Sequence, residues 1–260
     1  MNEKPYPAHP RRAALAALAI LAALPMPGAS AQERDSEAIR ELSPITIKRT
    51  KNPGDLPYAD FYASQALLQS YLPPEPRVLD PRLRLSFTQI TGPARDDYLP
   101  GTWAVAIVGD TVDHTIDVAR GGYFLLPELP QAAKEDATIM FNAQTRWNFI
   151  KVAWKFRIAE GQTLSYADFA RAFDEVASVQ KKIPWYRISL RDERLARFDG
   201  LKACFHPDAG RIEIDGEPAS TTAVGRCQVL AFDPALTKTG QVRIAFIGPL
   251  DTVTLHEAAR

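Results

Sequence analysis

Residues Gly109 to Asp117 read GDTVDHTID, three aspartates around one of only four histidines in the chain. On a helix, spacings of three and four would gather Asp110, Asp113, His114 and Asp117 onto one face as a metal or catalytic cluster. On a strand, successive side chains point to opposite sides and the cluster comes apart. Five of the eight residues from Thr111 to Val118 are β-branched, and Gly-Asp and Gly-Gly pairs bound the stretch, so the pattern predicts a strand. His114 then shares a side with Val112, Ile116 and Val118 as a half-buried histidine, and Asp113 and Asp117 face away. Four residues of strand separate these two carboxylates by about 13 Å, too far for one ion whose ligands stand at roughly 2.5 Å. No metal site is expected.

The same period of two extends in both directions. In RLRLSFT, Leu83, Leu85 and Phe87 oppose Arg82, Arg84 and Ser86; in KVAWKFRI, Val152, Trp154, Phe156 and Ile158 oppose Lys151, Lys155 and Arg157. With WAVAIV, GYFLL and ATIMFN between them, six short strands separated by turn signals predict an antiparallel meander or sandwich. After residue 210, RIEIDG, CQVLAF, VRIAFIG and DTVTLHE return to this pattern.

Helical periodicity interrupts it. Pro57 heads PYADFYASQALLQSY with Asp60 in the first turn. SYADFARAFDEVASVQKK carries Ser165 as N-cap, Asp168 three residues on and a 3.6-residue apolar repeat through Phe169, Phe173 and Val176. A further helix is expected from Asp192 to Phe205, with Leu195, Phe198, Leu201 and Phe205 on one face and a solvated series of arginines and acids on the other. The tetrapeptide YADF occurs twice, at Tyr58 and Tyr166; its flanks do not align, so it reads as two helix starts of the same chemistry rather than a duplication. The expected fold class is α+β, mainly antiparallel, with a composite domain over 57–260: β-rich at 82–160, helical at 165–205 and a β tail at 211–256.

The first 31 residues read as a cleaved signal peptide: Lys4, Arg11 and Arg12, an apolar run from Ala13 to Leu24, and Ala29-Ser30-Ala31 as the cleavage site. Export by the general route or by a twin-arginine route remains open. Residues 32–56 form a polar leader. Removing Lys4, Arg11, Arg12 and Glu3 from the balanced 31 and 31 leaves 28 basic and 30 acidic side chains, no field for nucleic acid. No later run is long and apolar enough for a membrane anchor. The expected location is periplasmic or secreted, an oxidising setting in which the two cysteines, Cys204 and Cys227, are expected to form a disulfide.

Motifs for phosphate, dinucleotide or activated serine are absent from the sequence, so no cofactor is expected. The catalytic candidates are His206 and Asp208, in the loop FHPD beside Cys204, as an acid/base pair of a hydrolase. The reading set against it is a binding or envelope-interaction module without catalysis. For that, Trp147 beside Arg146, in the connection NAQTRWN, has the chemistry enriched at interface hot spots and is expected to meet a protein or another envelope component. The stretch VARGGYFLLPELP, a Gly-rich turn before a strand ending in Leu-Pro, is locally similar to small transthyretin-like β-sandwich modules attached to secreted carboxypeptidases. The likeness spans about a dozen residues and implies no functional residue. N-terminal sequencing of the exported protein is expected to start at Gln32; an exported chain that keeps residues 1–31 overturns the signal reading.

Overall fold

Two short stretches, Leu56–Pro57 (β1) and Leu164–Ser165 (β8), each run straight into a helix that begins at a tyrosine, and the chain that follows each one takes the same path. The structure is a computed structural model that describes residues 55–87, 98, 104–142, 148–158, 163–206, 210–238 and 241–258. In the first half, β1 leads into α1 (Tyr58–Ser70), then β2 (Leu79–Phe87), β3 (Val105–Val108), β4 (Asp113–Ile116), β5 (Tyr123–Phe124), α2 (Pro130–Lys134), β6 (Thr138–Phe141) and β7 (Asn148–Phe156). In the second, β8 leads into α3 (Tyr166–Lys182), α4 (Arg191–Leu195), β9 (Phe198–Phe205), β10 (Arg211–Ile214), β11 (Glu217–Pro218), β12 (Thr222–Val224), β13 (Cys227–Ala231), β14 (Arg243–Ile247) and β15 (Leu250–Glu257).

The two paths are topologically equivalent. One small sheet has the order β1-β6-β3-β4 and the other β8-β14-β10-β11. The large sheet, β5-β2-β7-β15-β9-β13-β12, joins three first-half strands to four second-half strands through the antiparallel neighbours β7 and β15. The α+β, mainly antiparallel class holds, but the strands do not form a simple meander: within each half they alternate between the small sheet and the large one. The YADF tetrapeptides occupy matching positions. Tyr58 donates its backbone N–H to Ala137 O at 2.9 Å, just before β6, and Tyr166 donates to Val242 O at 2.9 Å, just before β14. Both rings are buried, and each hydroxyl accepts a backbone N–H, from Leu129 at 2.8 Å and from Asp233 at 2.7 Å. The paired tetrapeptides therefore mark a structural repeat, contrary to the reading of two unrelated helix starts. The aspartate of each copy stands in the first helical turn and the phenylalanine of each packs on its own core cluster.

Local chemistry accounts for the secure elements. Ser165 Oγ accepts the Asp168 N–H at 2.9 Å, and Lys181 and Lys182 complement the last turn of α3. Its inner face buries Tyr166, Phe169, Val176 and Val179 against the apolar side of the large sheet, including Trp154, Phe156, Leu201 and Phe205. Glu175, buried on the same helix, accepts the N–H groups of Val78 (2.9 and 3.1 Å) and Leu79 (3.1 Å), fixing the start of β2. The first half has its own core of Tyr58, Leu85, Val105, Ile107, Ile139 and Phe141.

Four expectations need correction. The opening stretch is a strand, but only over Asp113–Ile116, because the N–H groups of Thr111 and Val112 turn aside to Glu135 at 2.8 and 3.3 Å. His114 is exposed rather than half-buried: β4 lies at the edge of its sheet, and only Ile116 of the strand is buried. The expected helix at 192–205 is the five-residue α4 followed by β9, whose last residues are buried on both faces. The apolar spacing fits a helix, yet hydrogen bonding to β13 on one side and β15 on the other decides for a strand. The leader also ends earlier than expected, since Leu56 already pairs with Ile139.

Cys204 and Cys227 stand opposite each other on β9 and β13 and form the disulfide, with Cα atoms 4.0 Å apart. Closing a loop of this size is worth about 3.5 kcal/mol by the chain-entropy estimate. Four residues away on β9, Gly200 permits the close approach of β13: a Cβ there would lie 2.4 Å from the carbonyl oxygen of Leu230. Because that obstacle is backbone, Gly200→Ala is expected to cost about 1–3 kcal/mol, lowering the melting temperature by roughly 5 °C. A thermal scan that leaves the melting temperature unchanged would overturn this packing argument.

Candidate functional site

Alternation along the large sheet sends its apolar side chains toward the helices and its polar ones to the opposite face. Paired residues of neighbouring antiparallel strands project to the same side. The pairs Asp80↔Lys155, Lys155↔Thr254 and Thr254↔Lys202 therefore lay one polar row across β2, β7, β15 and β9. Next to it stand Arg84 and Lys151, themselves a pair.

β7 and β15 share only the one register pair, Thr254↔Lys155. On one side of that bridge, residues 150–154 part from residues 254–258 over a cavity of about 530 Å³; on the other, β7 beyond Lys155 parts from residues 250–253 over one of about 280 Å³. The outer wall of the larger cleft is α4, which contributes Asp192 and Glu193, with Ala196 just after it. Glu193 accepts the backbone N–H of Val152, serving an inner edge of β7. Lys151 Nζ spans the gap to Glu257 Oε2 at 2.8 Å. His256 Nδ1 lies 2.7 Å from Asp199 Oδ1, which orients the ring at the rim.

Arg84 is buried, and its guanidinium donates to the carbonyls of Gly121 at 2.8 Å and Tyr98 at 3.1 Å, with the Tyr123 ring at 5.5 Å. Among the described residues, two carbonyls and a ring face hold the group in place, and none of them neutralises its charge. Burial, then the neighbouring Glu257, push the Glu193 carboxyl up to about 8 against the opposing pull of Lys151 and the Val152 N–H. In the smaller cleft, burial and then Arg82 lower the Lys155 ammonium, opposed by Asp251 and Asp80. Asp251 has a fully buried carboxyl paired to Arg226, and among the described residues its Oδ1 and the Thr252 hydroxyl have no hydrogen-bond partner.

The arrangement can hold a small polar molecule and offer it a fixed positive charge at Arg84, with the His256 ring at the rim. Among the described residues, no group of three or more metal-ligating side chains comes together, and no hydroxyl or thiol is hydrogen-bonded to His256. His206, expected as an acid/base, is exposed at the end of β9, its backbone N–H donating to Pro249 O at 3.0 Å. Asp208, Arg146 and Trp147 lie outside the described residues. Reading by sequence missed Glu193, Arg84 and the Asp199–His256 pair. The last two are 57 positions apart, so no local pattern links them.

No protein-family model matches the chain, and comparison with curated proteins and with solved structures finds no significant similarity.

The native state holds the Glu193 proton up to about pH 8, while the unfolded chain releases it near the ordinary 4.5. Between those values the folded protein binds more protons, so this residue makes stability fall as pH rises through the window. Calorimetry of wild type and Glu193→Gln from about pH 5 to about pH 8 is expected to show the shallower decline in the variant; parallel pH profiles would remove Glu193 from a desolvated site.

Proposed function

We propose that the protein is an exported binding module whose larger cleft takes a small molecule carrying a negatively charged group. The observation that carries this reading is the Arg84 guanidinium, buried at the cleft with hydrogen bonds, among the described residues, to carbonyls rather than to a carboxylate. The cavity, about 530 Å³, lies within the range of small-molecule sites. At neutral pH Glu193 is protonated, which leaves Arg84, Lys151 and Lys202 against Asp192 and Glu257 among the lining charges. An anion entering there keeps the stabilisation of a desolvated positive site. The disulfide and the signal-like N-terminus support export to a periplasmic or extracellular setting, and no helix among the described residues is long and apolar enough to cross a membrane. Catalysis by His206 has no such support, because its side chain stands in solvent rather than in either cleft.

The test is a thermal-shift and calorimetric screen of small carboxylates and phosphorylated sugars against the exported chain, with wild type beside Ala196→Trp. Ala196 borders the cleft from outside the sheet, so the larger ring fills the cavity without altering a strand. A binder at a hundred times its Kd is expected to stabilise the wild type by about 2.7 kcal/mol and to lose that effect in the variant. Equal stabilisation of both proteins would place binding elsewhere; no stabilisation by any anion in the panel would overturn the reading.

A further inference from the structure

The connection from α3 to β9 carries an apolar projection that the cleft does not use. Trp185 is 80% exposed, Tyr186 61% and Ile188 83%. Ordered anchors hold this segment at both ends: Ile183 and Leu190 are buried in the core, Arg187 N–H donates to Pro184 O at 3.0 Å, and Leu190 N–H donates to Arg187 O at 3.2 Å. The rings of Trp185 and Tyr186 meet edge to face at 5.9 Å, and the Arg187 guanidinium lies over Tyr186. Residues 181–197 contain Lys181, Lys182, Arg187, Arg191, Arg194 and Arg197 against only Asp192 and Glu193, and Glu193 is turned into the cleft. A chain near charge balance thus carries six basic residues against two acidic ones in the segment that bears the most exposed aromatic and aliphatic side chains among the described residues, with Arg187 directly over Tyr186.

We propose that this knuckle docks the protein on an anionic lipid bilayer surface, with Trp185, Tyr186 and Ile188 entering the interface and the surrounding arginines and lysines meeting the headgroups. Trp and Tyr favour the interface because an apolar ring body carries a polar tip, and long basic side chains lay their stems along the apolar zone while keeping the charge among headgroups. Side chains this exposed project outward and offer little area. A specific protein interface needs about 800 Å² from each partner, whereas interfacial insertion gains from a few side chains plus charge attraction. Near an anionic surface each basic residue strengthens partition by roughly fivefold at moderate ionic strength. Docking of this kind is peripheral and needs no membrane-crossing segment.

The test is partition of the exported chain onto vesicles of equimolar phosphatidylcholine and phosphatidylglycerol, with phosphatidylcholine alone as control. Wild type is expected to bind the anionic vesicles, to release as salt rises, and to show tryptophan quenching by brominated acyl chains. Trp185→Ser with Ile188→Ser is expected to weaken partition at least roughly tenfold, and Arg187→Glu with Arg191→Glu by a similar factor, both with unchanged melting temperatures. Equal partition of wild type and both variants, or no binding of wild type to anionic vesicles, overturns the proposal. So does a concentration-dependent dimer that the Trp185 and Ile188 substitutions abolish without any effect on vesicle binding, since the knuckle then faces a second copy of the chain.

Discussion

The junction of β7 and β15 is a single register pair, Lys155 opposite Thr254, and the layout of the whole large sheet follows from it. Each half's group is paired within itself next to the junction: β7 is matched to β2 over nine residues, and β15 to β9 along nearly its full length. Two twisted, internally satisfied ribbons brought edge to edge diverge on both sides of their contact, because twist accumulates from strand to strand. The divergence leaves inner-edge backbone groups in need of partners. Glu193 meets one of them at Val152, and the Lys151–Glu257 pair crosses the gap. The clefts are therefore consequences of how two equivalent halves join, and the larger one is walled by α4, the short helix just before β9.

Burial turns the polar face of that sheet into a site. Arg84, Ser86, Thr252 and Thr254 are all buried on the side away from the helices. A charge in such a position needs hydrogen-bond partners, and Arg84 finds two carbonyls and a ring. Among the described residues, those partners take up donors of the guanidinium without cancelling its charge. Asp80, on the same face, shows the opposite solution: burial alone would raise its carboxyl, but the hydrogen bond and charge of Arg157, with Arg82 and Arg77, outweigh that and hold it low. One end of the face is thus internally neutralised, and the other keeps a fixed cation beside open volume.

The cleft wall and the exposed knuckle belong to one short connection. Between Ile183 and Ala196 the chain leaves α3, exposes Trp185, Tyr186 and Ile188, re-enters the core at Leu190 and presents Asp192 and Glu193 to the cleft. Gln180 on α3 ties the end of this excursion down, its amide donating to Glu193 O at 2.9 Å and to Ala196 O at 2.8 Å. A surface-docking element and a ligand-facing wall on one tethered segment would place the cleft close to whatever the knuckle touches.

What the sequence determined by itself is what local physics fixes. The α3 helix follows from its cap, its apolar stripe and its terminal lysines; the period-two segments follow from alternation; Cys204 and Cys227 had only each other to bond. What the tertiary structure decided is where competing local signals were equal or where partners are far apart in the chain. The stretch at 198–205 carries helical spacing, and only flanking strands on both sides, with Gly200 allowing the close approach of β13, make it β9. His114 lies on a strand as its pattern requires, but edge position, which no local pattern encodes, leaves it in solvent. The equivalence of the YADF tyrosines, the Asp199–His256 pair and the desolvated Glu193 arise from pairings across the two halves. Periodicity reports which side of an element is apolar; which neighbour covers that side, and what is left open beside it, depends on contacts between residues distant in sequence.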